Sequence, residues 1–278
     1  MSATGVLGAR PADGRRRLRR LILPGYVVAV IAYTLVPIAV MVLYSFNRAP
    51  SGRLTFAWQG FTLDYYAHPF DVPDLTSALL HSLEIASLST LIATALGVPA
   101  ALALARYRFR GRGLSDLVIL ADIAAPSVVV GASLLGFYIY LGVPRGFGTI
   151  LIAHVAFNVA FVVVVVQARV KDLDESLVEA AQDLGANPFA AFWRVTFPLI
   201  FPGILAAALL AFALSIDDFI ITSFVAGQTL TFPLWVYGAV KVGIPPQVFV
   251  MGTLIFLAGV AIAIANVVAQ RRRGQAAA

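Results

Sequence analysis

The chain has 278 residues, 60% of them hydrophobic and only 12% charged, with a formal net charge of +6 and a mean hydropathy of +0.89. Soluble domains carry about 45–50% apolar and about 25% charged residues, so the composition excludes an ordinary soluble enzyme. With no cysteine there is no disulfide framework, thiol nucleophile or thiolate metal site, and His68, His81 and His154 lie too far apart for a helical ligand pair.

The apolar residues fall into blocks long enough to cross roughly 30 Å of hydrocarbon at about 1.5 Å per residue. In chain order these are Leu21–Phe46, Ser77–Ala105, Leu114–Leu141, Ile150–Ala168, Leu199–Val225 and Val248–Ala269. They predict an all-α integral membrane protein with six transmembrane helices in a single domain over 21–269, flanked by a basic tail (1–20) and a short second tail (270–278). The first block is too long for the apolar core of a cleaved signal peptide and is expected to be retained. If the N-terminus is cytoplasmic, 16 of the 20 lysine and arginine residues lie on the inside. The positive-inside rule then puts both termini in the cytoplasm and explains the basic excess without nucleic acid.

Between the first two spans, 47–76 is rich in proline, glycine and aromatic residues and is expected to form a structured external cap. Pro99 and Pro126 each remove a backbone donor within a span, so kinks are expected there. Gly97, Gly131 and Gly136 are read as close-packing positions rather than gates.

The polar stretch Lys171–Pro198 is patterned as helix, turn, helix. Leu173, Leu177, Val178, Ala181 and Leu184 recur at helical spacing, Gly185 falls at a left-handed C-cap, Asn187 can cap the next helix, and Pro188 fits its first position. Phe189, Phe192 and Trp193 then share one helix face outside the membrane. Such a stripe either packs on the chain's own helix ends or docks into a groove of another protein.

Glu179-Ala180-Ala181, followed by Gly185 and by Val195, Phe197 and Pro198, resembles the EAA loop of permease subunits of binding-protein-dependent ABC importers. Val195 and Phe197 depart from the usual Ile and Leu but stay apolar. Trp58-Gln59-Gly60-Phe61-Thr62, Tyr107-Arg108-Phe109-Arg110-Gly111, Ser215-Ile216-Asp217-Asp218-Phe219, Ser223-Phe224-Val225-Ala226-Gly227 and Lys241-Val242-Gly243 extend the resemblance to the second permease subunit of spermidine/putrescine import systems. The resemblance implies a type I importer permease fold in the bacterial cytoplasmic membrane and a homologous second permease as partner. It further implies two cytoplasmic ATPase subunits, an extracytoplasmic substrate-binding protein, and ATPase coupling through Glu179, Ala180, Ala181, Gly185, Phe189, Phe192, Trp193 and Pro198. Lys171 and Lys241 each follow valine, so neither sits in a Walker A loop. ATP and magnesium belong to the partner ATPase, and this chain is read as a non-enzymatic transport subunit with no cofactor of its own.

Ionisable residues in the spans are costly and normally face a cavity or a partner. Glu84, Asp122, Asp217 and Asp218 are therefore candidates for the substrate path, with Phe212, Phe219, Tyr138 and Trp235 as aromatic neighbours able to attract a polycation. The alternative is that one aspartate bonds the partner permease or the backbone. Other readings stay open: an importer of another small organic solute such as an aminophosphonate, an ion-coupled secondary transporter, or an intramembrane aspartyl protease, which needs two aspartates converging from different helices.

Overall fold

The computed structural model describes the backbone of residues 14–55 and 57–276. The side chains of Arg15–Arg20 and Arg271–Arg273, on which the orientation argument draws, lie outside the described residues. The fold is helical: no strand occurs among the described residues, and the single bridge joins Asn47 to Phe61. In order the helices are α1 (Gly14–Tyr44), α2 (Asp64–Ala67), α3 (Pro73–Arg106), α4 (Arg112–Ala124), α5 (Ser127–Tyr140), α6 (Phe147–Lys171), α7 (Ser176–Asp183), α8 (Pro188–Ala191), α9 (Phe197–Ile216), α10 (Ile220–Val225), α11 (Phe232–Val242) and α12 (Pro246–Ala276). A π-helical turn, Phe192–Thr196, joins α8 to α9.

Among the described residues five helical runs are long and apolar enough to cross a membrane, and α4 with α5 makes a sixth span if that bent pair is counted as one. The six correspond to the six apolar blocks. The third differs from an uninterrupted helix: α4 and α5 meet at 106°. Ala125 is extended at φ −68°, ψ 132°, and Pro126 at φ −61°, ψ 128°, because a residue before proline is pushed out of the helical region and proline offers no N–H to continue the ladder. Pro99, by contrast, stays inside the continuous α3.

The chain forms two compact units. In the first, α1 packs on α12, and the segment after α1 is ordered around buried Asn47. Its side chain donates to Ala57 O at 2.9 Å and accepts from Gln59 N at 2.7 Å. Arg48 N donates to Gly60 O at 2.8 Å and Thr62 N to Phe46 O at 2.8 Å, while the Phe46 ring stacks on Phe61 and Tyr66. The segment is therefore structured as expected, held by backbone and amide bonds, with Trp58 exposed.

The second unit, Phe70–Val242, is built on α3, α6 and α9. Ala93, Ala101, Val162, Val163, Val166, Ile200, Ala207 and Ala211 form its interior. Small residues let the backbones approach closely: a Cβ on Gly97 would lie 2.6 Å from Val162 Cγ1, and one on Gly131 2.5 Å from the Phe224 ring. Gly136, by contrast, faces open space. Gly97→Leu forces α3 away from α6, and overpacking of this kind costs about 1–3 kcal/mol. The expected result is a lower midpoint of thermal unfolding in detergent, with Gly136→Ala, at the open position, unchanged in the same assay.

Candidate functional site

The fifth apolar block is not one helix. Helix α9 ends at Ile216, Asp217 sits at its C-cap, and α10 begins at Ile220. This break and the α4–α5 bend border one cavity of about 390 Å³, lined by Asp122, Asp217 and Asp218 together with Phe157, Phe161 and Phe219. Three of the four expected path carboxylates thus come together. Glu84 does not join them; it is exposed on α3 and is not among the lining residues. Of the expected aromatic neighbours only Phe219 lines the cavity, and Tyr138 is instead buried, donating to Thr149 O at 3.3 Å. Phe157 and Phe161 replace the others; they stand four apart on α6 and so share a face.

No lysine or arginine lines the cavity among the described residues. Asp122 Oδ2 is buried and has no hydrogen-bond partner among the described residues, an arrangement that is costly unless a cation or donor arrives. The Asp218 carboxylate is held differently. Its Oδ2 accepts from Thr222 N and Thr222 Oγ1, both at 2.8 Å, which caps the start of α10 and competes with continuation of the span.

Beside Asp218 lies a buried polar chain that spacing arguments missed. His154 on α6 is 1% exposed. Its Nδ1 is 2.6 Å from Ser215 Oγ and its Nε2 is 2.9 Å from Thr222 Oγ1 and 3.5 Å from Asp218 Oδ2. Ser215 Oγ is in turn 3.0 Å from Ser89 Oγ on α3. Because the Thr222 hydroxyl donates its one proton to Asp218, hydrogen-bond accounting makes His154 Nε2 the donor to Thr222. The signal in the sequence was an ionisable residue in the middle of an apolar block, which a search for metal-ligand spacing passes over.

The Lys171–Pro198 segment follows its expected chemistry closely. Asp174 Oδ1 accepts from Ser176 N at 3.0 Å at the start of α7, and hydrogen bonds from the Ser176 side chain and backbone hold this carboxyl below its ordinary range. At the other end Gly185 adopts φ +88°. Gly185 N bonds Gln182 O at 2.8 Å and Ala186 N bonds Ala181 O at 3.0 Å, the paired bonds of a Schellman cap. Asn187 Oδ1 then accepts from Ala190 N at 2.8 Å, with Pro188 in the first helical position.

One expectation needs correction: the second helix of this segment is not separate, because Pro188–Ile216 runs on as a single span. The π turn at Phe192–Thr196 absorbs the junction without breaking the helix. Leu184 is 90% and Phe189 74% exposed, Glu179, Ala180 and Pro198 are also exposed, and Ala181 is partly covered. Trp193 lies edge-on to Phe192 at 5.3 Å and packs on Phe197 at 4.8 Å. At the base of the segment Arg169 Nε donates to Leu199 O at 3.2 Å, strapping α6 to α9.

Comparison with known proteins agrees with this architecture. The chain is 37% identical over 248 residues to the spermidine/putrescine transport system permease protein PotC of Escherichia coli (strain K12), covering 89% of this chain and 93% of that protein. It is 39% identical over 239 residues to the putrescine transport system permease protein PotI of the same organism, covering 82% and 84% respectively. Among solved structures, a chain of a bacterial ABC transporter involved in the import of the acidic polysaccharide alginate superposes with a TM-score of 0.66 at 19% identity, over 94% of this chain and 99% of that one. Residues 93–274 match the family described as binding-protein-dependent transport system inner membrane component. With that match spanning most of the helical core, the chain belongs to this family of inner-membrane transport permeases.

Proposed function

We propose that this permease forms half of the translocation path of an ATP-driven importer of polyamines, with the acidic cavity as a station for the cation. The observation that carries this reading is the convergence of Asp122, Asp217 and Asp218 with the rings of Phe157, Phe161 and Phe219 in one cavity without a lining basic residue. Carboxylates and ring faces are the two groups that attract a flexible polyammonium ion by charge and by cation–π contact. The names of the relatives, spermidine/putrescine and putrescine permeases, support the same substrate class. The acidic lining disfavours an aminophosphonate, whose phosphonate is itself anionic.

In this reading a homologous permease supplies the other half of the path, a substrate-binding protein delivers the polyamine from outside, and two ATPase subunits bind ATP and magnesium. Both termini are cytoplasmic, as the distribution of basic residues favours. The capped segment from Glu179 to Pro198 presents Leu184 and Phe189 to the ATPase, as an apolar helix face does to a groove.

The test is to reconstitute the permease with its partner subunits and compare stimulation of ATP hydrolysis by the binding protein loaded with spermidine, putrescine or an aminophosphonate. Stimulation and uptake with the polyamines are expected. Uptake driven by an ion gradient without ATP, or stimulation by the aminophosphonate alone, rejects the proposal.

A further inference from the structure

We propose that His154 is a positioning residue for Asp218, fixing the carboxylate that meets the cation and thereby setting substrate affinity rather than energy coupling. The inference rests on the reading of Asp218 as part of the path. His154 reaches across the break in the fifth span: its Nδ1 meets Ser215 in the last turn of α9, and its Nε2 meets Thr222 in α10. One rigid ring on α6 therefore holds both ends of the interruption that carries Asp218.

The bonds to Asp218 all fall on one oxygen. Thr222 N and Thr222 Oγ1 reach Oδ2 at 2.8 Å and His154 Nε2 lies 3.5 Å from the same atom. Among the described residues, Oδ1 receives none. Rotation of the carboxyl group breaks these contacts, so the group is held in one orientation with Oδ1 left for a donor outside the network. A carboxylate fixed in this way loses little freedom when a cation binds, and such preorganisation appears as affinity. His154 makes no contact with the cavity itself; it is absent from the lining residues.

The competing account is that His154 merely glues α6 to α9 and α10. The two accounts differ in what a mutation moves. In the reconstituted importer, with radiolabelled spermidine delivered by its binding protein, His154→Leu is expected to raise KM about tenfold, since coupled network residues interact at this scale. Maximal ATP hydrolysis and recovery of the assembled complex stay near wild type. His154→Gln keeps an amide donor able to reach Thr222 and Asp218, and is expected to restore most of the affinity. In an Asp218→Asn background, with spermidine raised to keep uptake measurable, His154→Leu is expected to add less than about twofold, because the group it positions has already lost its charge.

A KM unchanged by His154→Leu, while Asp218→Asn raises it, overturns the inference and leaves the path reading standing. An equal effect of His154→Leu with and without Asp218→Asn also overturns it, in favour of the gluing role. If Asp218→Asn itself leaves KM unchanged, the path reading fails and the inference falls with it. Should the leucine variant not assemble, His154→Asn gives the same comparison, because its shorter amide keeps a partner for Ser215 and loses the reach to Asp218.

Discussion

Asp218→Asn is expected to lower polyamine uptake by about one to two orders of magnitude, the consequence of losing about 1.5–3 kcal/mol of charge-assisted contact. Asparagine keeps the shape of the side chain and an oxygen able to accept from Thr222, so the helix break survives while the charge does not. Asp217→Asn should cost less: Asp217 is exposed, whereas the Asp218 carboxylate is held by Thr222 N and Thr222 Oγ1. The measurement is initial uptake into proteoliposomes, with binding-protein-stimulated hydrolysis as the control for assembly. Normal uptake in both single variants and in the double variant removes the carboxylates from the path, and with them the main physical reason for a cationic substrate.

Gly185→Val should abolish coupled transport while leaving the permease in the membrane. A Cβ at Gly185 meets no atom within 4 Å, so the penalty is purely one of backbone: a β-branched residue at φ +88° is held at a cost of about 1–3 kcal/mol. The segment relieves that strain by abandoning the left-handed turn. The bonds from Gly185 N and Ala186 N to Gln182 O and Ala181 O go with it, and α8 is re-aimed relative to α7. Co-purification of the ATPase and the ratio of uptake to hydrolysis report the loss. An ATPase that still co-purifies, with hydrolysis still coupled, overturns the assignment of this segment as the docking element. Gly185→Ala should fall between the two, because it carries the same φ with less crowding at Cβ.

The spans and the capped segment were legible because their signals are local. Hydropathy needs only block length, and the turn at Gly185-Ala186-Asn187-Pro188 is written in residues that each favour one position. The break at Asp217–Phe219 was not legible, because it sits in an unbroken apolar block and depends on a side chain competing with the backbone. Asp218 capping Thr222 N is visible only once both atoms are placed. The cavity was half legible. Its carboxylates stand out against an apolar background, but the rings beside them are chosen by helix rotation, so Phe157 and Phe161 on α6 lie where Tyr138 and Trp235 were expected. His154 was passed over for a different reason: its partners, Ser215 and Thr222, are 61 and 68 positions away, and only folding brings them to it.

The continuity of Pro188–Ile216 makes that run a lever arm. Its 29 residues extend about 43 Å at about 1.5 Å per residue, with exposed Phe189 at one end and Asp217 directly beyond the other. A rigid tilt of about 10° about the Arg169–Leu199 contact would displace the Asp217 end by about 5 Å, close to the length of one helical turn. Measured from that contact the arm to Asp217 is about 1.8 times the arm to Phe189, at about 1.5 Å per residue. If the run pivots there as a rigid body, a displacement at the aromatic end becomes a larger one at the charged end without unfolding.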